Sequence, residues 1–103
     1  MTQHPTAPSE VHLQEGFTGQ TVEVVVDGEH RWRQSATTRW QTGLAVIAPI
    51  AFRAGQTVTV RTVAAGAPAS GQIVPGPGEH WITVRLEAGR PVLAAHSVCP
   101  GYV

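Results

Sequence analysis

Apolar and polar residues alternate along much of this chain with the two-residue period of a β-strand. No ten-residue window keeps a 3.6-residue period without a Gly or Pro. Val22, Val24 and Val26 share one side of a strand-like run over residues 21–26, and Asp27-Gly28 follows it. That dipeptide suits a type I′ turn, whose two central residues need positive φ, so residues 29–34 are expected to return as the partner strand. Val11-His12-Leu13-Gln14 predicts a shorter first strand with Val11 and Leu13 on one face, and Phe17 is the expected hydrophobic plug of the turn after it.

The longest apolar run covers residues 44–52, where Pro49 argues against a helix and for a kink or an edge position. It breaks at Arg53-Ala54-Gly55, and residues 56–63 then alternate, which predicts a central β-hairpin. Residues 65–71 are small and read as a loop, followed by the short strand Gln72-Ile73-Val74 and the rigid Pro75-Gly76-Pro77-Gly78. Residues 80–87 alternate cleanly, and Ala88-Gly89 turns them into residues 91–98. Seven or eight short strands with regular turn signals define an all-β class. The expectation is a single antiparallel β-sandwich, immunoglobulin-like or transthyretin-like in general shape, over residues 10–103. The polar, proline-containing residues 1–9 form a flexible N-terminal arm in this reading.

Parity along the strands separates inside from outside. With Val22, Val24, Val26, Leu44, Val46, Ile50, Phe52, Val58, Val60, Ile82, Val84 and Leu86 directed inward, the intervening positions face solvent. Glu23, Thr57, Thr59, Arg61, Thr83 and Arg85 fit that side, but Val25, Ala45, Ile47, Ala51 and Trp81 also fall on it. An outward Trp81 with Ile47 and Val25 would make a contiguous apolar patch, the mark of a contact surface; a β-bulge that turned Trp81 into the core would remove it.

Composition narrows the function classes. One 103-residue domain with 42% hydrophobic and 14% charged residues is an ordered globular chain with a single core. Its formal net charge is zero and no basic block occurs, so no nucleic-acid partner and no anionic membrane surface are expected. The absence of Lys removes Schiff-base chemistry and a phosphate-loop lysine, and Asp27 as the sole Asp leaves too few ligands for a calcium loop. A lone cysteine, Cys99, makes no internal disulfide, and the N-terminus lacks the basic and apolar regions of a secretion signal, so a cytoplasmic location is expected.

Candidate chemistry is sparse. Glu29-His30 and Glu79-His80 each follow a glycine turn, but adjacent strand residues point to opposite faces and no third ligand has motif spacing. A small enzyme or metal protein built on these pairs is therefore the second alternative, with a His30/His80 pair possible only on neighbouring strands. Cys99 and His96 lie three apart on opposite strand faces, Cys99 reads as a buried small hydrophobe, and a Ser-His-Asp triad would need Asp27, which the turn already uses. Nothing in the spacing of the six Glu residues selects a glycosidase pair.

Arg31-Trp32-Arg33 and Arg39-Trp40-Gln41 place indoles beside planar donors, a combination suited to carbohydrate or protein binding. The competing reading packs Trp32 into the core with Arg31 and Arg33 solvated opposite. These features together predict a non-catalytic interaction module without cofactor or metal. It would self-associate, or bind another protein, through Trp81, Ile47 and Val25; the first alternative is a carbohydrate-binding module using Trp40, Trp32, Arg31, Arg33 and Arg39.

Overall fold

The computed structural model describes residues 9–64 and 67–101. Eight strands follow one another: β1 (Glu10–Leu13), β2 (Thr18–Val26), β3 (Glu29–Thr37), β4 (Val46–Pro49), β5 (Val58–Ala64), β6 (Ala67–Ile73), β7 (Trp81–Glu87) and β8 (Arg90–His96). There is no helix among the described residues. The strands form two packed four-stranded sheets, sheet I in the order β4-β1-β7-β8 and sheet II in the order β3-β2-β5-β6.

Valine-rich alternation builds the core as parity requires. Val22, Val24 and Val26 of β2 and Val58 and Val60 of β5 meet Val11 and Leu13 of β1, Ile82 and Val84 of β7 and Ala48 of β4. Ile50 and Phe52 fold inward beyond β4, while Val46 and Leu86 pack against the cluster partly buried. Leu44 remains half-buried and bridges Arg39. Phe17 is buried, as a plug should be, and Thr38 secures it: the Thr38 hydroxyl accepts from the Phe17 N–H (3.0 Å) and donates to the Gln14 carbonyl (2.6 Å). The β2–β3 turn has positive φ at Asp27 (49°) and Gly28 (81°), the left-handed pair a type I′ hairpin needs.

Three expectations need correction. The sandwich is not purely antiparallel, because β1 runs parallel to β7. A parallel pair requires a long crossover, and the five intervening strands supply it. The central hairpin is absent: β4 pairs with β1 in sheet I, whereas β5 pairs with β2 and β6 in sheet II. The break at Arg53-Ala54-Gly55 is a corner between layers, where Arg53 N–H donates to Gln56 Oε1 (2.8 Å) and Gly55 N–H to the Pro75 carbonyl (2.9 Å).

The expected small-residue loop is mostly strand, since β6 starts at Ala67 and pairs with β5 through Ile73. Small residues serve here because β8 approaches closely. A Cβ at Gly71 would collide with the Pro91 carbonyl oxygen and lie 3.0 Å from Leu93 Cδ1. Of the expected N-terminal arm, residues 1–8 lie outside the described residues. Ser9 is held in place, its hydroxyl donating to the Phe52 carbonyl (3.2 Å) and its carbonyl accepting from the Ile50 N–H (3.2 Å). No helix among the described residues is long and apolar enough to cross a membrane.

Candidate functional site: the outer face of sheet I

Alternation places a polar and aromatic constellation on the solvent side of sheet I. With Val11 and Leu13 sealed inside, Glu10 and His12 point outward; with Ile82 and Val84 inside, Trp81 and Thr83 point outward. Register then sets two rows across the sheet. Pro49, Glu10, Trp81 and His96 form one, and Ile47, His12, Thr83 and Ala94 form the other.

The polar groups of this face bond to one another. Glu10 Oε1 accepts from Trp81 Nε1 (3.2 Å) and from His12 Nε2 (3.0 Å), so one carboxylate oxygen holds both rings. Thr83 Oγ1 and His96 Nε2 share a hydrogen bond of 2.9 Å. The His80 ring meets the Trp81 indole edge-on, with centroids 6.0 Å apart and an interplanar angle of 86°. His12 is 1% exposed despite standing on the outer side, and Trp81 is half-buried. Beside them Ile47 is 41% exposed. No buried side-chain nitrogen or oxygen among the described residues lacks a hydrogen-bond partner.

Glu10 Oε1 already has two donors, and no group of three His, Cys, Asp or Glu side chains gathers to hold a metal ion among the described residues. What the face offers is an indole anchored by its N–H, with Ile47 on the same face across β1.

The structure distributes the residues singled out in the sequence unevenly. Trp81 and Ile47 share the outer face of sheet I, separated by β1. Val25 does not join them: it lies on β2 in sheet II and is 4% exposed, flanked in register by His30 and Thr59. Trp32 pairs with Val24 and packs against the core, so it forms no common platform with Trp40. Trp40 stands 87% exposed in the turn after β3, next to Arg39. Arg33 Nε lies 3.7 Å from Glu23 and Arg31 donates to Glu29 at 3.1 Å.

The two Glu-His pairs serve local structure. His30 Nδ1 lies 3.5 Å from Glu23 on sheet II, whereas Glu79 Oε1 accepts from the Gly76 N–H (2.6 Å) ahead of β7; His30 and His80 do not meet on neighbouring strands. Cys99, expected buried, is exposed beyond the end of β8, while His96 turns to Thr83. Asp27 accepts from the Thr57 N–H (2.8 Å) and Gln56 Nε2 (3.2 Å), and so braces the β2–β3 turn.

Glu10, His12, Thr83 and His96 received no role from the sequence, although the signal was present. The alternation that put Val11 and Leu13 on one face puts Glu10 and His12 together on the other. No protein-family model, curated protein or solved structure matches this chain.

Proposed function

We propose that this protein is a non-catalytic interaction module that associates with a second copy of itself through the outer face of sheet I. The observation that carries the reading is the anchored Trp81. Its indole N–H is satisfied by Glu10 and the Thr83 and His96 side chains satisfy each other, so covering the face strands few polar groups. Two of the four edge strands, β4 and β3, are poorly suited to strand addition, which favours a face over an edge. β4 is four residues long and ends in Pro49; β3 is longer but carries Glu29, Arg31, Arg33 and a bulge, devices that discourage strand addition. With zero formal net charge, two copies meet no long-range repulsion.

Size sets the strength. Four strands spaced about 4.8 Å, each rising about 3.3 Å per residue, give a face on the order of 400 Å² per copy. That is roughly half of what a standard stable interface buries on each partner, so the complex is weak and transient. Sedimentation equilibrium up to about 1 mM, a range that reaches affinities of roughly −4 kcal/mol, checks this. Concentration-dependent dimerisation lost in Trp81→Ala and kept in Trp40→Ala is expected; a strict monomer over the whole range sinks it.

The same reading places the chain in the cytoplasm and takes the two packed layers as immunoglobulin-like or transthyretin-like in outline. A second reading, carbohydrate binding, rests on the 87% exposure of Trp40 beside Arg39. Tryptophan fluorescence across a glycan panel tests it, and no change with any glycan discards it.

A further inference from the structure

Away from the Trp81 face, the corner that carries the chain from sheet I to sheet II meets the β2–β3 hairpin. There Arg31, Ala51, Phe52, Arg53 and Gln56 line a pocket of about 240 Å³. Two of the seven cationic side chains of the protein share it.

Arg31 reaches the pocket through a defect in the ladder. Val24 pairs with Trp32 and Val25 with His30, so Arg31 is the extra residue of a β-bulge. A bulge re-aims a side chain out of the regular alternation, which is what separates Arg31 from Arg33 beside Glu23. Arg53 arrives from the other side on a braced turn. Its N–H donates to Gln56 Oε1 (2.8 Å), its carbonyl accepts from the Gln56 N–H (3.2 Å), and Gln56 Nε2 donates to Asp27 Oδ2 (3.2 Å). Asp27 in turn exchanges two bonds with the Thr57 backbone, Oδ1 accepting at 2.8 Å and N–H donating at 2.9 Å. The backbone of this wall is thus braced before anything binds, which lowers the entropic cost of binding.

The donors left over point to the ligand. Gln56 spends both ends of its amide on the framework. Arg31 gives one nitrogen to Glu29 (3.1 Å) and keeps the rest of its five N–H groups. Among the described residues, no carboxylate lies within ion-pair distance of Arg53. The two nearby carboxylates, Asp27 and Glu29, are engaged by Gln56, Thr57 and Arg31 and do not line the pocket. Two guanidinium forks over an Ala51–Phe52 backing recognise planar or tetrahedral oxygens.

We infer that this pocket binds a doubly charged oxyanion group, a phosphate or a dicarboxylate, clamped between Arg31 and Arg53. The site is independent of self-association. Titrations of the full chain with sodium phosphate and with succinate, at constant ionic strength set by chloride and read by amide chemical shifts and calorimetry, test it. Saturable binding on the order of 1 mM is expected for at least one anion, and comparing the two assigns the source. Arg53→Gln weakens that binding at least tenfold and Arg31→Gln several-fold, whereas Arg61→Gln, on the outer side of sheet II, leaves it unchanged. Arg53→Lys, which keeps the charge and loses the fork, gives an intermediate loss and serves if Arg53→Gln unfolds. Shifts that never saturate, or binding as strong in both Arg53 variants as in the parent, overturn the assignment.

Discussion

Gly71 is the point at which the two sheets can be pushed apart with a single methyl group. It sits mid-way along β6, opposite Val60 of β5, at the place where β8 of the other sheet comes nearest. In Gly71→Ala the new Cβ would collide with the Pro91 carbonyl oxygen and stand 3.0 Å from Leu93 Cδ1 and 3.2 Å from the Pro91 carbonyl carbon. Comfortable carbon contacts begin near 3.5 Å, so the layers must separate by about 1 Å or the β8 backbone must shift. Overpacking of this kind costs about 1–3 kcal/mol. Gly71 has no positive φ, so alanine adds no backbone strain and instead recovers about 0.4–1 kcal/mol by restricting the unfolded chain. The net loss is about 1–2 kcal/mol, which for a domain of this size lowers the midpoint by roughly 5–15 °C. Differential scanning calorimetry at fixed protein concentration reads it, with Gly101→Ala as the control because nothing lies within 4 Å of a Cβ there. An unchanged or raised midpoint in Gly71→Ala would mean that β6 and β8 do not approach as described.

Two further changes probe other parts of the fold. Thr38→Val leaves the Phe17 N–H without its acceptor and takes a donor from the Gln14 carbonyl; a loss of about 1–3 kcal/mol is expected from urea midpoints, and no loss would show that this hydroxyl does not tie β3 to the β1–β2 turn. Cys99, being exposed, should react fully with an aromatic disulfide reagent in the native protein, at a rate within about tenfold of that in denaturant; labelling that waits for unfolding would contradict its position.

Local chemistry was legible wherever the determining residues are neighbours in sequence. Asp27-Gly28 declared its turn because both residue types tolerate positive φ; before β8 only Gly89 (78°) gives that signal, and Ala88 (50°) takes the left-handed region against the preference of its own Cβ. The side of the sheet occupied by Trp81 followed from Ile82 and Val84 alone. Pairing was harder because it depends on distant partners. Arg53-Ala54-Gly55 has the same composition whether the chain doubles back on one sheet or crosses to the other, and only β1, fitted between β4 and β7, decides it.

Residues 67–71 looked like a loop because small side chains carry no inward pattern, yet the nearness of β8 favours just such residues in a strand. Val25 was misplaced for a related reason: parity expected it exposed beside Trp81, whereas it is 4% exposed on β2 of the other sheet, and which sheet a strand joins is not written in its own residues. Arg31 reaches its pocket only through the bulge opposite Val24 and Val25, which leaves no mark in the residue pattern of β3.

The parallel neighbour of β1 has a consequence for how the molecule comes into being. On the ribosome, residues 10–13 emerge ahead of the other seven strands, and the strand that completes one of their flanks follows some seventy residues later, as the Glu10–Trp81 bond across 71 positions records. Until then sheet I is an open half-layer with an unpaired rim, and the nascent chain has to carry it without sticking to others. Closure over such a separation is slow, in the millisecond-to-second range of β-rich domains, so translation can outlast every earlier hairpin and leave the docking of β7 as the event that commits the fold.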